Sequence, residues 1–335
     1  MNILLTGFSG TLGTAVTKSL LESGHQLRVL LHGSVIDPQS LGPCVEIVWG
    51  SLSHHHLFDQ ITNGIDVVVH CAWESRGMFD GMLEKMNLVG TINLIKSAGR
   101  NKVKTFIHVS SVGVYGLARS LWGKVLDEDY PLVSKEESLN PYPWVKVLIE
   151  KKCQELRNKL DMNLIIIRPG LLFSDMKAPA KKLVNFKNKK YGILVGSARN
   201  HLPYIHVDDV AEMILRIIEK PLKYAVYNCV PTLHLTAAEF LKRWGEYNGH
   251  RLTVLRLPRL VIRLMDYGIQ LLKRMLGRKS GSSSIDYQIL TGIRDIRYSA
   301  EKAVRELGWQ DNLTKAIATR SSYDSGSYSK LHEVN

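Results

Sequence analysis

The sequence predicts a doubly wound parallel α/β fold, and three observations support this prediction. Short apolar segments alternate with helical segments through the first half of the chain, as expected when helices cover both faces of a parallel sheet. A glycine triplet follows the first apolar segment at the point where a strand would turn into a helix. The length of 335 residues suits one large domain or two coupled ones.

The predicted elements follow in chain order. Val-, Ile- and Leu-rich segments predict strands at residues 2–5, 26–31, 45–49, 66–71, 105–109 and 163–167, with helices at 11–23, 54–61, 78–98 and 140–158. Connections between such strands are right-handed crossovers, so the strands should form one sheet.

The regular alternation of short apolar strands and helices ends after Pro169-Gly170. We expect helices at 179–190, from Asp208 or Asp209 to about 220, after Thr236 with Glu239 as its capping box, at 259–276 and at 300–307, and strands at 225–229 and 251–257. These features predict a smaller C-terminal substrate-binding region over 171–320, with 205–230 returning to the first domain (1–170), and a disordered tail over 321–335.

Composition narrows the class of protein. Cys44, Cys71, Cys153 and Cys229 are far apart and form no C-x-x-C pair, which argues against a disulfide framework and favours a reducing, cytoplasmic compartment. We expect no secretory signal and no membrane span, because a strand begins at once and no apolar run approaches about 20 residues. The run His54-His55-His56 lacks acidic or cysteine neighbours at ligand spacing, so no metal site is expected.

The net charge of +13 is concentrated in two segments. Residues 177–190 contain six lysines and no acid, and residues 256–279 contain seven basic residues and one acid. Such segments suit an anionic partner or a solvated basic surface. We expect an anionic small-molecule substrate and no nucleic acid. The amphipathic stretch within 256–279 could pack on the substrate region or contact an anionic membrane from one side.

The glycine triplet predicts a dinucleotide site. Gly7, Gly10 and Gly13 are spaced three apart between a predicted strand and a predicted helix. Glycines at these positions let the backbone approach a pyrophosphate, and the helix beginning near Thr11 would point free N–H groups at the phosphates. An NAD enzyme usually carries an acid after the second strand, but here Leu31 is followed by His32 and Gly33. His32 could help to hold a 2′-phosphate, so NADP is mildly favoured and the choice stays open.

The second informative motif is Tyr142-Pro143-Trp144-Val145-Lys146. On a helix that begins after Asn140, Tyr142 and Lys146 share one face. A neighbouring ammonium and a bound cofactor would both stabilise the phenolate, which makes Tyr142 a candidate proton acceptor or donor. Ser111, beyond the predicted strand 105–109, could hydrogen-bond the substrate oxygen because ligands bind at the carboxyl ends of parallel strands.

With these motifs the chain resembles the extended short-chain dehydrogenase/reductases, in the NAD-dependent epimerase/dehydratase family. The landmarks in order are TGFSGTLG at 6–13, HCA at 70–72, Asn87 in NLVGTINL, SSVGVYG at 110–116, YPWVK at 142–146, RPG at 168–170, IHVDDVA at 205–211 and RYSAEKAVRELGW at 297–309. The resemblance implies a Rossmann-type domain and often a homodimer. It also implies a catalytic set of Ser111, Tyr142 and Lys146, and cofactor contacts from Gly7, Gly10, Thr11, Leu12, Gly13, His32, Ala72, Asn87, Tyr142, Lys146 and Pro169.

Three departures from the family pattern refine this expectation. Val112-Gly113 stands where sugar 4,6-dehydratases carry an Asp-Glu pair, which makes dehydration an unexpected activity. Ser51 replaces an aspartate common near the adenine, and the bulky Trp144 could shape the pocket mouth.

Three functions remain open from the sequence. The first is an NAD(P)-dependent epimerase or oxidoreductase that transfers hydride at a secondary alcohol of a nucleotide-activated sugar, with 177–190 binding the diphosphate. The second is a membrane-associated dehydrogenase or ketoreductase of a 3β-hydroxysteroid-like or lipid alcohol. The third is a cofactor-binding sensor without turnover.

Overall fold

The computed structural model describes residues 1–33, 42–75, 84–138, 140–174, 191–195, 198–220, 222–247, 252–258, 260, 261, 264, 267, 268 and 295–312. Its strands in chain order are β1 (Asn2–Thr6), β2 (Gln26–Leu31), β3 (Val45–Trp49), β4 (Val67–His70), β5 (Thr105–Val109), β6 (Val125–Leu126), β7 (Asn163–Pro169), β8 (Leu171–Phe173), β9 (Tyr191–Val195), β10 (Tyr204–His206), β11 (Ala225–Cys229), β12 (Thr253–Leu257) and β13 (Arg297–Tyr298). Its α-helices are Thr11–Glu22, Phe58–Thr62, Gly90–Arg100, Pro141–Leu156, Val207–Ile218, Ala237–Tyr247 and Glu301–Leu307.

The main sheet has seven strands in the order β3-β2-β1-β4-β5-β7-β11, and all of its pairs are parallel. Strands β2 and β3 therefore lie on one side of β1, and β4, β5, β7 and β11 lie on the other. A crevice forms where the strand order reverses, at the carboxyl ends of β1 and β4. The predicted doubly wound Rossmann-type sheet is confirmed.

The strands are apolar on both faces because helices cover both. In β1, Ile3 and Leu5 belong to a core cluster with Val16 of the first helix, whereas Leu4 belongs to a second cluster with Phe58 on the opposite face. All five side chains are buried. This two-sided burial explains the continuous apolar runs in the sequence.

Most predicted element bounds hold, and three need correction. The described part of the helix predicted at 78–98 is π-helical over Lys85–Val89 and α-helical over Gly90–Arg100. The structure has β2, β3, β5 and β11 at the predicted residues. The helix predicted at 54–61 is a 3₁₀ turn, His55–Leu57, followed by a short α-helix. The helix predicted to be capped by Asp208 or Asp209 begins two or three residues earlier: His206 is its N-cap and accepts from the Asp208 N–H, and both acids lie in the first turn.

Three separate two-stranded parallel sheets accompany the main sheet in the described part of the chain: β6 with β13, β8 with β10, and β9 with β12. The capping box is present, since the Glu239 N–H donates to Thr236 Oγ1 and Glu239 accepts from the Thr236 N–H. β11 belongs to the main sheet, where it pairs with β7. The return of 205–230 to the first domain stays a prediction. The boundaries at 170 and 320 stay predictions.

Several predicted features lie outside the described residues. These are the helix predicted at 179–190, the lysines of 177–190, most of the helix predicted at 259–276, and the tail at 321–335. Among the residues that are described, no helix combines the length and apolar character needed to cross a bilayer.

Candidate active site

The glycine loop between β1 and the first helix is held by contacts that exclude larger side chains. Gly7 has a φ of +77°, and a Cβ there would lie 2.6 Å from the Ala72 nitrogen. A Cβ on Gly13 would overlap the carbonyl oxygen of Gly7. The loop therefore packs backbone on backbone, and this close approach is what a pyrophosphate cradle requires.

The first helix leaves its N-terminal turn open towards this loop. Its N-cap is Gly10, which supplies no side-chain cap, and its first turn contains no acid. Backbone N–H groups of Thr11, Leu12 and Gly13 fall in that turn. A helix N-terminus of this kind is suited to an anionic phosphate.

Beyond the loop, a groove of about 160 Å³ runs between the ends of β1, β2 and β4. Its lining includes Gly7, His32, Ser51, Ala72 and Trp73. The structure therefore brings the predicted residues His32 and Ala72 to one groove and adds Ser51 at the position where an aspartate is common.

Two buried side chains fix the loop that follows β4. The His70 ring is hydrogen-bonded through Nδ1 to Thr6 Oγ1 (2.6 Å) and through Nε2 to Thr91 Oγ1 (2.8 Å). Burial, aided by the nearby Lys146 charge, lowers the His70 pKa to about 3, so this ring is neutral. Asn87 Oδ1 accepts from the Glu74 N–H, and its amide donates to the Glu74 carbonyl. Asn87 thus lies against the loop, within a π-helical segment, Lys85–Val89.

Ser111 and Tyr142 lie next to each other across Gly113. A Cβ placed on Gly113 would be 3.3 Å from Ser111 Oγ and 3.6 Å from Tyr142 Cε1. Ser111 caps a 3₁₀ turn, and its Oγ accepts from the Gly113 N–H at 3.0 Å. Since that bond uses a lone pair of the hydroxyl oxygen, the hydroxyl hydrogen is left to donate to a ligand.

The helix Pro141–Leu156, named here the Tyr142 helix, begins as its sequence predicts. Asn140 is the N-cap and accepts from the Tyr142 N–H at 3.0 Å. Pro141 and Pro143 fall in the first turn, where a missing N–H costs little. The prolines therefore mark the helix start and place Tyr142 in that first turn.

Lys146 is buried one turn further along this helix, with a relative exposure of 4%. Its Nζ donates to the Val109 carbonyl at the end of β5, at 2.8 Å. Burial lowers the Lys146 pKa to about 7, although the charges of Cys71 and Glu150 oppose the shift. This amine can therefore change its protonation state near neutral pH.

Trp73, which follows β4, contacts both of these residues. Its ring centroid is 4.3 Å from Lys146 Nζ and 4.9 Å from the Tyr142 ring, which meets it edge to face. Trp73 is not among the predicted site residues, although it stands directly after the landmark HCA at 70–72. Its position after a central strand was the signal that could have identified it.

A buried ion pair supports the Tyr142 helix from behind. Glu150, one turn after Lys146, is paired with Arg168 of β7 at 2.7 Å, and both side chains are 4% exposed. Ser110 Oγ also donates to Glu150. Arg168 further donates to the Tyr115 hydroxyl, which donates to Asn228 of β11. This network joins β7, β11 and the segment that follows β5 to the helix that carries Tyr142 and Lys146.

A cavity of about 320 Å³ opens in front of Ser111 and Tyr142. Its other walls are mainly apolar: Val112, Leu117, Pro143, Leu171, Leu172, Leu202, Pro203 and Ile296. Of the residues that the structure describes, His201 and Tyr298 are the other polar groups on its walls. His201 Nδ1 is 2.6 Å from Asp295 Oδ1, so Nε2 is the ring nitrogen left for a ligand.

Two further residues to which the sequence assigns a role, Pro169 and Trp144, lie in different surroundings. Pro169 ends β7, opposite Cys229, and precedes Gly170, which lines the cavity. Trp144 packs against the core with Lys151 Nζ 5.3 Å above its ring. It does not line the cavity among the described residues, so the expectation that it shapes the pocket mouth is wrong. The reason is that residue 144 faces away from positions 142 and 146 on a helix.

Comparison with known proteins places this geometry in context. A family model described as "NAD dependent epimerase/dehydratase family" matches residues 3–229. An N-acetyl-alpha-D-glucosaminyl-diphospho-ditrans,octacis-undecaprenol 4-epimerase of Escherichia coli O157:H7 is 26% identical over 293 residues, covering 85% of this chain and 83% of that protein.

Two further comparisons extend over nearly the whole chain. A 4-hydroxy-2-methyl-3-oxo-4-farnesyl-3,4-dihydroquinoline-1-oxide ketoreductase of Stigmatella aurantiaca is 24% identical, covering 94% of this chain and 93% of that protein. The structure of a UDP-glucuronic acid 4-epimerase from Bacillus cereus in complex with NAD has a TM-score of 0.69 and 18% identity, covering 93% of this chain and 94% of that one. At this identity the structural likeness shows the fold.

Proposed function

The chain belongs to the NAD-dependent epimerase/dehydratase family, and we propose that it is an NAD(P)-dependent epimerase or oxidoreductase acting on a secondary alcohol or ketone of a nucleotide-activated sugar. The observation that carries this proposal is the arrangement of Ser111, Tyr142 and Lys146 between the glycine loop and the cavity. Enzymes of the short-chain dehydrogenase/reductase type use a serine, a tyrosine and a lysine in this order.

The residues around the groove fit a dinucleotide. The overlap that a Cβ on Gly13 would make, and the open first turn of the helix after it, support a pyrophosphate at the loop. His32, Ser51, Ala72 and Asn87 would hold or frame the adenosine and the central part, and Lys146 and Pro169 the nicotinamide end. When bound, the nicotinamide ring accepts a hydride from the substrate carbon or returns one.

The protein groups supply the proton chemistry. Tyr142 takes the proton of the substrate hydroxyl during oxidation and returns it during reduction. The Ser111 hydroxyl, whose oxygen already accepts from Gly113, donates to the substrate oxygen and fixes its direction. The Lys146 ammonium stabilises the Tyr142 phenolate, because an opposite charge nearby favours the ionised form.

The substrate class is argued from the relatives and the cavity. The relative from Escherichia coli is named as an epimerase of a sugar carried by a diphospho-undecaprenol, and the neighbouring structure as an epimerase of a UDP-sugar. A sugar diphosphate also suits the basic segment 177–190. We therefore place a diphosphate-linked sugar first.

A second candidate is favoured by one observation, the apolar character of the cavity walls. In the described residues, eight apolar side chains or prolines line it beside four polar ones and two glycines. A hydrophobic substrate such as a lipid or steroid-like alcohol would bury more apolar surface there. The relative from Stigmatella aurantiaca is named for a farnesylated substrate, which supports this alternative.

We propose NADP as the mildly preferred cofactor. The described end of β2 offers His32 and Gly33 where an NAD enzyme usually carries an acid, and Ser51 lines the groove with His32. The carboxylate that does line the groove among the described residues, Glu74, belongs to the loop after β4. NAD remains the alternative, since the neighbouring epimerase structure was determined with NAD.

We also propose a cytoplasmic protein with peripheral membrane contact through 256–279. Support comes from exposed apolar side chains at Leu260 (67%), Leu264 (61%) and Tyr267 (69%), which follow a helical spacing. Liposome flotation with and without anionic lipid tests this contact.

The homodimer implied by the family resemblance stays a prediction, and light scattering would measure the oligomeric state.

A substrate screen tests the proposed function. UDP-glucose, UDP-N-acetylglucosamine, a polyprenyl-diphosphate sugar and a 3β-hydroxysteroid are each incubated with NAD and NADP, and both product sugars and reduced cofactor are measured. We expect turnover of one class, and a loss of about 10²- to 10⁴-fold in Tyr142→Phe. Tyr130→Phe, a tyrosine outside the cavity, is the matched control. Cofactor binding without turnover of any class would favour the sensor instead.

A further inference from the structure

We propose that Trp73 is a positioning residue for the catalytic pair: its indole face holds the Lys146 ammonium and its ring fixes Tyr142 before the substrate arrives. This inference rests on the proposed function only for the role of the pair. The contacts that carry it are independent of any substrate.

The first step is the placement of the indole. Trp73 lies in the loop after β4, and the Asn87 amide bonds to Glu74 hold that loop. The indole also packs beside the core cluster of the face that contains Val145 and Ile149. The ring is therefore fixed by its surroundings and does not depend on Lys146 for its position.

The second step concerns the contacts that stabilise the buried Lys146 ammonium. The buried ammonium has lost nearly all contact with water, and its polar partner is the Val109 carbonyl. Among the described residues no carboxylate lies within ion-pair distance of its Nζ. The face of Trp73, 4.3 Å away, is then a second direct contact of the amine, and a π face at this distance favours the charged form.

The third step is the link to Tyr142. The same ring contacts the Tyr142 ring edge to face, a favourable arrangement for two aromatic side chains. Trp73 thus touches the proton-carrying residue and the residue that makes it acidic. It also lines the proposed cofactor groove, so a bound dinucleotide would meet it.

A direct test measures the ionisation of Lys146 in the cofactor-free protein. Lysine side-chain NMR (¹³Cε and ¹⁵Nζ) follows its titration in the wild type, Trp73→Leu, Trp73→Met and Trp73→Phe. Loss of the π face should lower the Lys146 pKa by about one unit, and Phe should recover most of it. Trp144→Leu is the matched control, because Trp144 is a half-buried tryptophan whose ring faces Lys151 instead.

The same lowering of the Lys146 pKa should also alter the pH profile of kcat. With a substrate from the screen, the alkaline limb of kcat should move down by the same amount in Trp73→Leu and return towards the wild type in Trp73→Phe. An unchanged Lys146 titration in both Trp73→Leu and Trp73→Met would overturn the inference. If one of these two variants fails to fold, the other decides.

Different results would contradict the proposed function and the proposed role of Trp73. If wild-type protein binds neither NAD nor NADP, the proposed function is wrong, while the NMR titration still decides whether Trp73 supports Lys146. If the cofactor binds and substrate turns over, yet Trp73→Leu and Trp73→Phe match the wild type in titration and pH profile, only the inference about Trp73 is wrong.

Discussion

Replacing Lys146 by Met should change how the stability of the protein depends on pH. Burial lowers the Lys146 pKa from 10.5 to about 7. Between these values the unfolded chain binds a proton that the folded protein does not, so the free energy of unfolding rises with pH. The cost of burying Lys146 is complete below pH 7 and disappears above about pH 10.5.

The expected magnitude follows from that shift. A pKa difference of one unit corresponds to about 1.4 kcal/mol, so the wild type should gain about 2 kcal/mol over Lys146→Met between pH 7 and pH 9. Lys146→Met also leaves the Val109 carbonyl without its donor, at a cost of about 1–3 kcal/mol that does not vary with pH. The sign of the pH-dependent difference is therefore the informative quantity.

Urea unfolding of the cofactor-free proteins at both pH values measures this difference. Lys151→Met, on an exposed lysine of the same helix, is the control and should track the wild type. The same offset between wild type and Lys146→Met at pH 7 and at pH 9 would refute the reasoning, because it would mean that burial does not disfavour the charge.

Three further changes test other parts of the site. Gly13→Ala should weaken NAD and NADP binding at least 10-fold, measured by calorimetry, because its Cβ would overlap the Gly7 carbonyl. Arg168→Met should lower the free energy of unfolding by about 3–5 kcal/mol in urea titrations, since it leaves Glu150 charged, buried and unpaired. His201→Gln should raise KM about 3- to 10-fold with a similar kcat, because it removes the Nε2 acceptor from the cavity wall and leaves the groups of the proposed proton transfer in place.

Each of these has its own control. Gly10→Ala should be milder than Gly13→Ala, since its Cβ would be 3.2 Å from the Gly7 oxygen, and equal losses would contradict the packing argument. Lys152→Met breaks an exposed pair with Glu155 and should cost less than about 1 kcal/mol. A fall in kcat without a change in KM would contradict the role given to His201.

The sequence predicted the sheet well because two-sided burial leaves a clear pattern. Strands β2 and β5 are rich in Val, Leu, Ile and Phe although Arg28 and His108 interrupt them, and their bounds were predicted to the residue. The start of the Tyr142 helix was equally clear, because Asn140 and two prolines allow few other conformations. The N-cap at His206 was missed because two following aspartates are the commoner capping residues.

Long-range contacts within the site were not predictable in the same way. The motif put Tyr142 and Lys146 on one helix face, but it gave no sign that Trp73 lies against both. The Val109 carbonyl and the Glu150–Arg168 pair depend on packing between elements far apart in the chain. Periodicity identifies which face is buried, whereas the partner across the interface is set by the fold.

The fate of the hydrogen on the substrate carbinol carbon tests the central claim most directly. A substrate from the screen is labelled there with deuterium, and products and cofactor are analysed by mass spectrometry. The account predicts a slowed wild-type reaction in which the deuterium is found on the nicotinamide or back on the product. Deuterium lost to water would show that the carbon is deprotonated rather than oxidised by hydride transfer, and would contradict the account.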